Sequence, residues 1–219
     1  MKITLRRTTG VITALALSLA LTACGSDSDD SADDGANDGS TPDQTSSMNA
    51  GEQTFGDSCS AVPTSGPGSF DGMVKDPVAT AASNNPLLST LVAAVGAIDG
   101  LADTLNGSEA LTVFAPTDDA FAAIPKADLD AMVADGQKMG EDSDLYKVLA
   151  HHVLGENADP AAVAGEKTTL AGDTLTVKGD ADSGMTVTDG TVTANVLCGN
   201  IPTANATVYV IDKVLTGVK

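Results

Sequence analysis

The sequence of 219 residues has no tryptophan, 4 phenylalanines and 2 tyrosines. Base-stacking platforms and aromatic sugar clefts are therefore out of its reach, and any core must be assembled from Ala, Val, Leu and Ile. Basic residues are equally scarce: 11 Lys and Arg stand against 30 Asp and Glu, a formal net charge of −19. With no basic surface to neutralise phosphates, nucleic-acid binding is excluded. No G-x-S-x-G, Walker or dinucleotide fingerprint occurs. The 2 histidines, His151 and His152, are adjacent; on a strand they point to opposite faces and cannot chelate one ion together. No metal or cofactor is expected, and no catalysis.

What is present begins with a leader. Residues 1–23 carry Lys2, Arg6 and Arg7 without an acidic residue, then the uncharged run Val11 to Leu21. That run is too short to span a bilayer and fits a signal-peptide core. It ends in Leu21-Thr22-Ala23-Cys24, which resembles the lipobox of bacterial lipoproteins and implies acylation of Cys24, which becomes the mature N-terminus. Cleavage there leaves 8 basic residues against 30 acidic ones, a net −22, so attachment to an anionic membrane must come from lipid.

Residues 24–56 are built from Ser, Asp, Gly, Ala, Asn and Thr, with no Lys or Arg and almost no large apolar residue. Such a segment cannot bury enough surface to offset its ordering entropy, and a disordered acidic tether is expected. Asp27, Asp29, Asp30, Asp33 and Asp34 offer calcium ligands without fixed geometry, hence at low affinity. The folded domain is expected over 57–219, as one unit without internal repeats.

Within it, helix signals fill the first half: Asp76-Pro77, Asn85-Pro86 and the apolar face of Leu87, Leu88, Leu91, Val92 and Val95. Helices are also expected over 99–106, after Thr117, over 126–134 and 142–150, and after Asp159-Pro160. Strands are expected over 110–115, 168–170, 174–178, 185–188, 191–196 and 207–211, with Asp180 to Gly184 as a hairpin turn. A helix-rich half followed by a strand-rich half indicates an α+β domain. With Cys24 lipidated, Cys59 and Cys198 remain as an even pair in an exported, oxidising setting. A disulfide between them is the favoured reading; free thiols or a metal site lack a CxxC spacing and a neighbouring His.

Three stretches together resemble the fasciclin (FAS1) family. Leu111-Thr-Val-Phe-Ala-Pro-Thr-Asp-Asp-Ala-Phe121 is similar to its first box, His151-His152-Val153 to its central Tyr-His motif, and Ala204 to Leu215 to its second box. Asp76 to Pro86, the two cysteines and the Ala-Asn-Ala-Thr run resemble a mycobacterial subgroup of surface lipoproteins and secreted antigens, in which the cysteines are bonded. The resemblance implies a single fasciclin domain, its helical half packed on a sheet wedge, and adhesion to surface or matrix proteins or glycans. It also implies that His151, His152, Asn200, Ile201 and Asp212 lie in the interaction region. In animal members that region contacts integrins, but His151 replaces the Tyr and Asn200-Ile201 the Asp-Ile pair, which argues against integrin recognition here. Phe114 and Phe121 are expected in the core, and Asp212 is expected to accept hydrogen bonds near the first box. The location implied is the outer face of the cell membrane, lipid-anchored, with release into the medium as a variant. Two alternatives to adhesion are a structural envelope protein contacting the wall and a small-molecule carrier; the carrier requires an apolar cavity.

Overall fold

The computed structural model describes residues 49–218. The leader, the acyl acceptor Cys24 and the tether as far as residue 48 lie outside the described residues.

Short capped helices come first. α1 (Phe70–Met73), α2 (Val78–Ser83), α3 (Ser89–Gly96) and α4 (Leu101–Gly107) precede strand β1 (Leu111–Pro116). They are followed by α5 (Asp118–Ala122), α6 (Lys126–Met139), α7 (Asp144–His151), the two-residue β2 (Val153–Leu154) and α8 (Pro160–Val163). Helices this short do not form on propensity alone, and side-chain caps fix where several begin. Thr117 Oγ1 accepts from Ala120 N–H at 3.2 Å, Ser143 Oγ from Tyr146 N–H at 3.1 Å, and Asp159 Oδ1 from Ala161 and Ala162 N–H at 2.9 and 2.8 Å.

The chain then turns to strands: β3 (Gly165–Thr168), β4 (Thr174–Asp180), β5 (Gly184–Thr188), β6 (Thr193–Pro202) and β7 (Ala206–Ile211). One sheet results, in the order β2-β1-β7-β6-β5-β4-β3. Its centre is the parallel pair of β1 and β7, from Leu111 opposite Ala206 to Pro116 opposite Ile211; the other pairs are antiparallel. Both central strands are apolar runs, as strands covered on both faces must be. Alternation then splits the core in two. Leu111, Ala115, Val208 and Val210 face the helices, whereas Phe114, Tyr209 and Ile211 face a wedge closed by Leu175, Val187 and Leu215. The α+β domain expected from the sequence, a helical half packed on a sheet wedge, is the fold observed.

The boundaries differ in informative ways. Asn85-Pro86 does not open a helix: Asn85 Oδ1 accepts from Leu87 N–H at 3.0 Å, a local turn that delays α3 to Ser89. Helix α6 runs beyond residue 134 to Met139, because Gly136 lets it approach α7; a Cβ at Gly136 would lie 2.8 Å from Leu145 Cδ2. The tether was expected to reach residue 56, yet residues 49–56 lie on the folded body. Phe55 N–H donates to Gly199 O at 3.2 Å, Gly199 N–H donates to Phe55 O at 2.8 Å, and Ala50 N–H donates to Asp71 Oδ1 at 3.1 Å. The lone aromatic of that polar run causes this: its ring occupies the space where a Cβ of Gly199 would stand and lies 6.4 Å from the Tyr209 ring. Just beyond it Cys59 is bonded to Cys198 with Cα atoms 4.9 Å apart, which ties the entering chain to β6.

Candidate functional site

Helix α7 buries Leu145 and Leu149 and ends at His151, with His152 as its C-cap. The two histidines therefore do not straddle a strand as the sequence suggested. They terminate a helix, and their ring planes stand 83° apart. Both are buried, at 1% and 3% exposure. His152 Nδ1–H donates to Val148 O at 2.7 Å, and Nε2 accepts from Leu215 N–H at 2.9 Å. Each ring nitrogen is thus committed and the tautomer is fixed. Burial pushes the His152 imidazole down to about 4, against the opposing pull of the Val148 carbonyl. The ring is neutral at physiological pH, a pin that holds the C-terminal segment against α7.

His151 faces the other way, with Nδ1 3.1 Å from Asp173 Oδ2 and Nε2 3.7 Å from Asp189 Oδ2. Asp189 accepts from the N–H groups of Thr191, Val192 and Gly217 at 2.6 to 2.7 Å. Burial would raise its carboxyl, but these donors and His151 outweigh it and hold it below the usual carboxylate range. The arrangement locks two turns and the segment around Gly217.

The other expected contact residues are also drawn inward. Ile201 is 1% exposed. Asn200, half-buried in a left-handed conformation (φ 58°), donates from Nδ2 to Gln53 O at 2.9 Å. Asp212 does not reach the first box; its two oxygens accept from Asn195 N–H and Nδ2 at 2.7 Å each, across to β6. Hence His151, His152 and Ile201 are buried in the fold, while Asn200 and Asp212 direct polar atoms to neighbouring backbone. Phe114 and Phe121 are core residues as expected.

Two clasps escaped the sequence reading. Asn205 Oδ1 accepts from Val78 N–H at 2.9 Å, while Nδ2 donates to Leu105 O and Ser108 O at 2.8 Å each, binding α2 and α4 to the start of β7. Asp118, in the first box, accepts from Ser89 Oγ and Thr90 N–H at 2.6 Å each. It therefore caps α3 from a distance. Burial would raise the Asp118 carboxyl, but these donors lower it on balance. Both signals were in the sequence as Asn and Asp inside apolar boxes, but their partners are remote in the chain.

The remaining feature is a cavity of about 330 Å³ on the helical face of the sheet, between α2, α3, α4, α7 and β1. Val92, Val95, Leu105, Val113 and Tyr146 contribute to its walls, and His152 closes one end. Among the described residues no group of three or more His, Cys, Asp or Glu is placed to hold a metal ion.

Comparison with known proteins agrees with this architecture. The cell surface glycolipoprotein MPT83 of Mycobacterium tuberculosis is 47% identical over 154 residues, 68% of this chain and 64% of that protein. The chain thus spans just under two thirds of that relative's length. The immunogenic protein MPB70 of Mycobacterium bovis is 45% identical over 159 residues, 71% of this chain and 76% of that one. Protein sll1483 of Synechocystis is 38% identical over 138 residues, 61% and 69% of the two chains. The Fasciclin domain model matches residues 86–217, from the Asn85-Pro86 turn through the second box. With that match and the two-faced sheet in hand, the chain belongs to the fasciclin domain family.

Proposed function

We propose that this chain is a lipid-anchored, non-catalytic interaction protein of the cell surface that binds surface or matrix proteins or glycans. In this reading residues 1–23 are removed, Cys24 carries the acyl groups, the acidic segment that follows is the spacer, and the domain engages the partner. The observation that carries it is the inward commitment of the polar groups in the boxes. His152, Asp118, Asp189, Asn205 and Asp212 each hold backbone rather than facing solvent in an acid–base cluster. Relatives named as a cell surface glycolipoprotein and an immunogenic protein support the location. The surplus of acidic groups favours partner surfaces that are neutral or basic.

The test is crosslinking on intact cells followed by recovery of the full chain, with intact mass measured on the membrane-extracted protein. Acyl groups on Cys24 and a recurring surface protein or glycan are expected. An unacylated chain in the membrane fraction, or turnover of a substrate by the purified protein, would contradict the reading.

A further inference from the structure

The cavity beside the sheet is open by composition rather than by strain. Its walls are made largely of small and medium side chains on α2, α3 and α4, and Gly96, at the end of α3, has no atom within 4 Å of the position its Cβ would take. Gly96 itself is exposed, so the space is bounded on α3 by Leu91, Val92 and Val95. At about 330 Å³ the space falls in the range of small-molecule sites and is roughly twice an engineered apolar void that stays dry and takes up benzene.

The electrostatics select the occupant. In a chain of which 19% is charged, no Asp, Glu, Lys or Arg contributes to the walls. The one histidine there, His152, has both ring nitrogens bonded to backbone. An ion entering this space would lose its hydration without gaining a counter-charge. An apolar chain would run along Leu91, Val92, Val95, Leu105 and Val113 and the Tyr146 ring to the exposed hydroxyls of Thr80, Ser83 and Thr104. A second observation marks the mouth. Leu170, 54% exposed, is one of three large apolar side chains left in solvent among the described residues. It borders the cavity, and its N–H, donated to Val153 O at 2.8 Å, fixes its place there.

We propose that this cavity is a binding site for an uncharged, elongated apolar molecule with one hydroxyl or ester end, which inserts its chain between α3, α4 and β1 and is covered at the mouth by Leu170. The site is separate from the partner surface proposed above, and its failure would leave that proposal standing. The ligand chemistry is shared by the acyl or isoprenoid chain of a membrane lipid and by a free apolar metabolite.

The test uses the full chain carrying Cys24→Ala, purified without detergent so that neither its own acyl groups nor a surfactant fills the space. The uncharged fluorophore N-phenyl-1-naphthylamine is titrated in and displaced by 1-dodecanol or by laurate. Saturable binding is expected, with dodecanol displacing at least ten times better than laurate. Val95→Trp, which adds bulk at a half-buried wall residue of α3, should weaken binding at least tenfold. Leu170→Ser, a surface change that leaves folding intact, should weaken it several-fold, and Met139→Ser, exposed elsewhere, should leave it unchanged. Absence of saturable binding, or binding by the Val95 and Leu170 variants equal to that of the parent chain, would overturn the proposal. Mass spectrometry of an organic extract of the protein distinguishes the sources: a diacyl or prenyl species identifies a membrane lipid, and a single-chain neutral species identifies a free metabolite.

Discussion

The two faces of the central strands make the same chain into two different cores. On the wedge side, Phe114 and Tyr209 stack 5.7 Å apart, Tyr209 OH donates to Ala158 O at 2.9 Å, and Leu154, Leu175, Val187 and Leu215 are wholly buried. On the helical side, alanine-rich helices meet Val208 and Val210, a disulfide bolts the entering chain to β6, and a cavity remains. The lesson concerns aromatic scarcity. Phe55, Phe114 and Tyr209 pack ring against ring in the wedge core, whereas Phe70, Phe121 and Tyr146 are spread over the helical core, where short helices bring many small side chains, a cavity remains, and caps, clasps and a crosslink hold the elements together.

That contrast can be broken from either side. The largest effect is expected from Cys59→Ala with Cys198→Ala: opening a crosslink of sequence separation 139 should cost on the order of 4 kcal/mol and about 10 °C in melting temperature, read by calorimetry under oxidising conditions. Phe114→Ala should cost a comparable 3 to 4 kcal/mol, because its ring is fully buried and packs against Tyr209. Leu105→Ala, at the margin of an existing cavity, should cost less than about 2 kcal/mol, with both variants read by urea titration, since fewer contacts are lost. A cost for Leu105→Ala equal to that for Phe114→Ala would show that the helical side is closed in solution.

Acid sharpens the comparison in a different way. The folded-state pKa of His152 is depressed to about 4 from an ordinary value near 6.5, so the unfolded chain takes up a proton first. Stability is then fully present above about pH 6.5 and declines as pH falls toward 4, by at most about 3 kcal/mol. Asp118 and Asp189, whose carboxyls are lowered, add their losses only below about pH 4. His152→Gln should be less stable at pH 7 and show a flatter stability profile between pH 6.5 and 4.

The elements legible in the sequence were those fixed by neighbours in the chain. Thr117 and Asp159 cap helices because their oxygens reach N–H groups two or three residues on, and the Asp180 turn forms for the same reason, with Ser183 N–H donating to Asp180 Oδ1 at 2.7 Å. The apolar runs of β1 and β7 were visible, but their parallel pairing is not, since it joins residues nearly a hundred positions apart. The expected helix stopped at residue 150, whereas the spacing of Leu145 and Leu149 carries it on to His151, so that both histidines sit at a helix end. His152, Asp118 and Asp212 fall within the motifs, while their hydrogen-bond partners, Leu215, Thr90 and Asn195, are defined only by the fold. The cavity had no local signature at all, being a deficit of volume summed over several helices.

The most direct measurement is methyl NMR of the Cys24→Ala chain during titration with 1-dodecanol. The account predicts that Val92, Val95, Leu105 and Val113 shift together in a saturable way while Leu154, Leu175, Val187 and Leu215, on the wedge side, stay in place. Shifts spread evenly over both sets, or none in the first, would contradict the claim that one core of this domain is closed and the other open to a ligand.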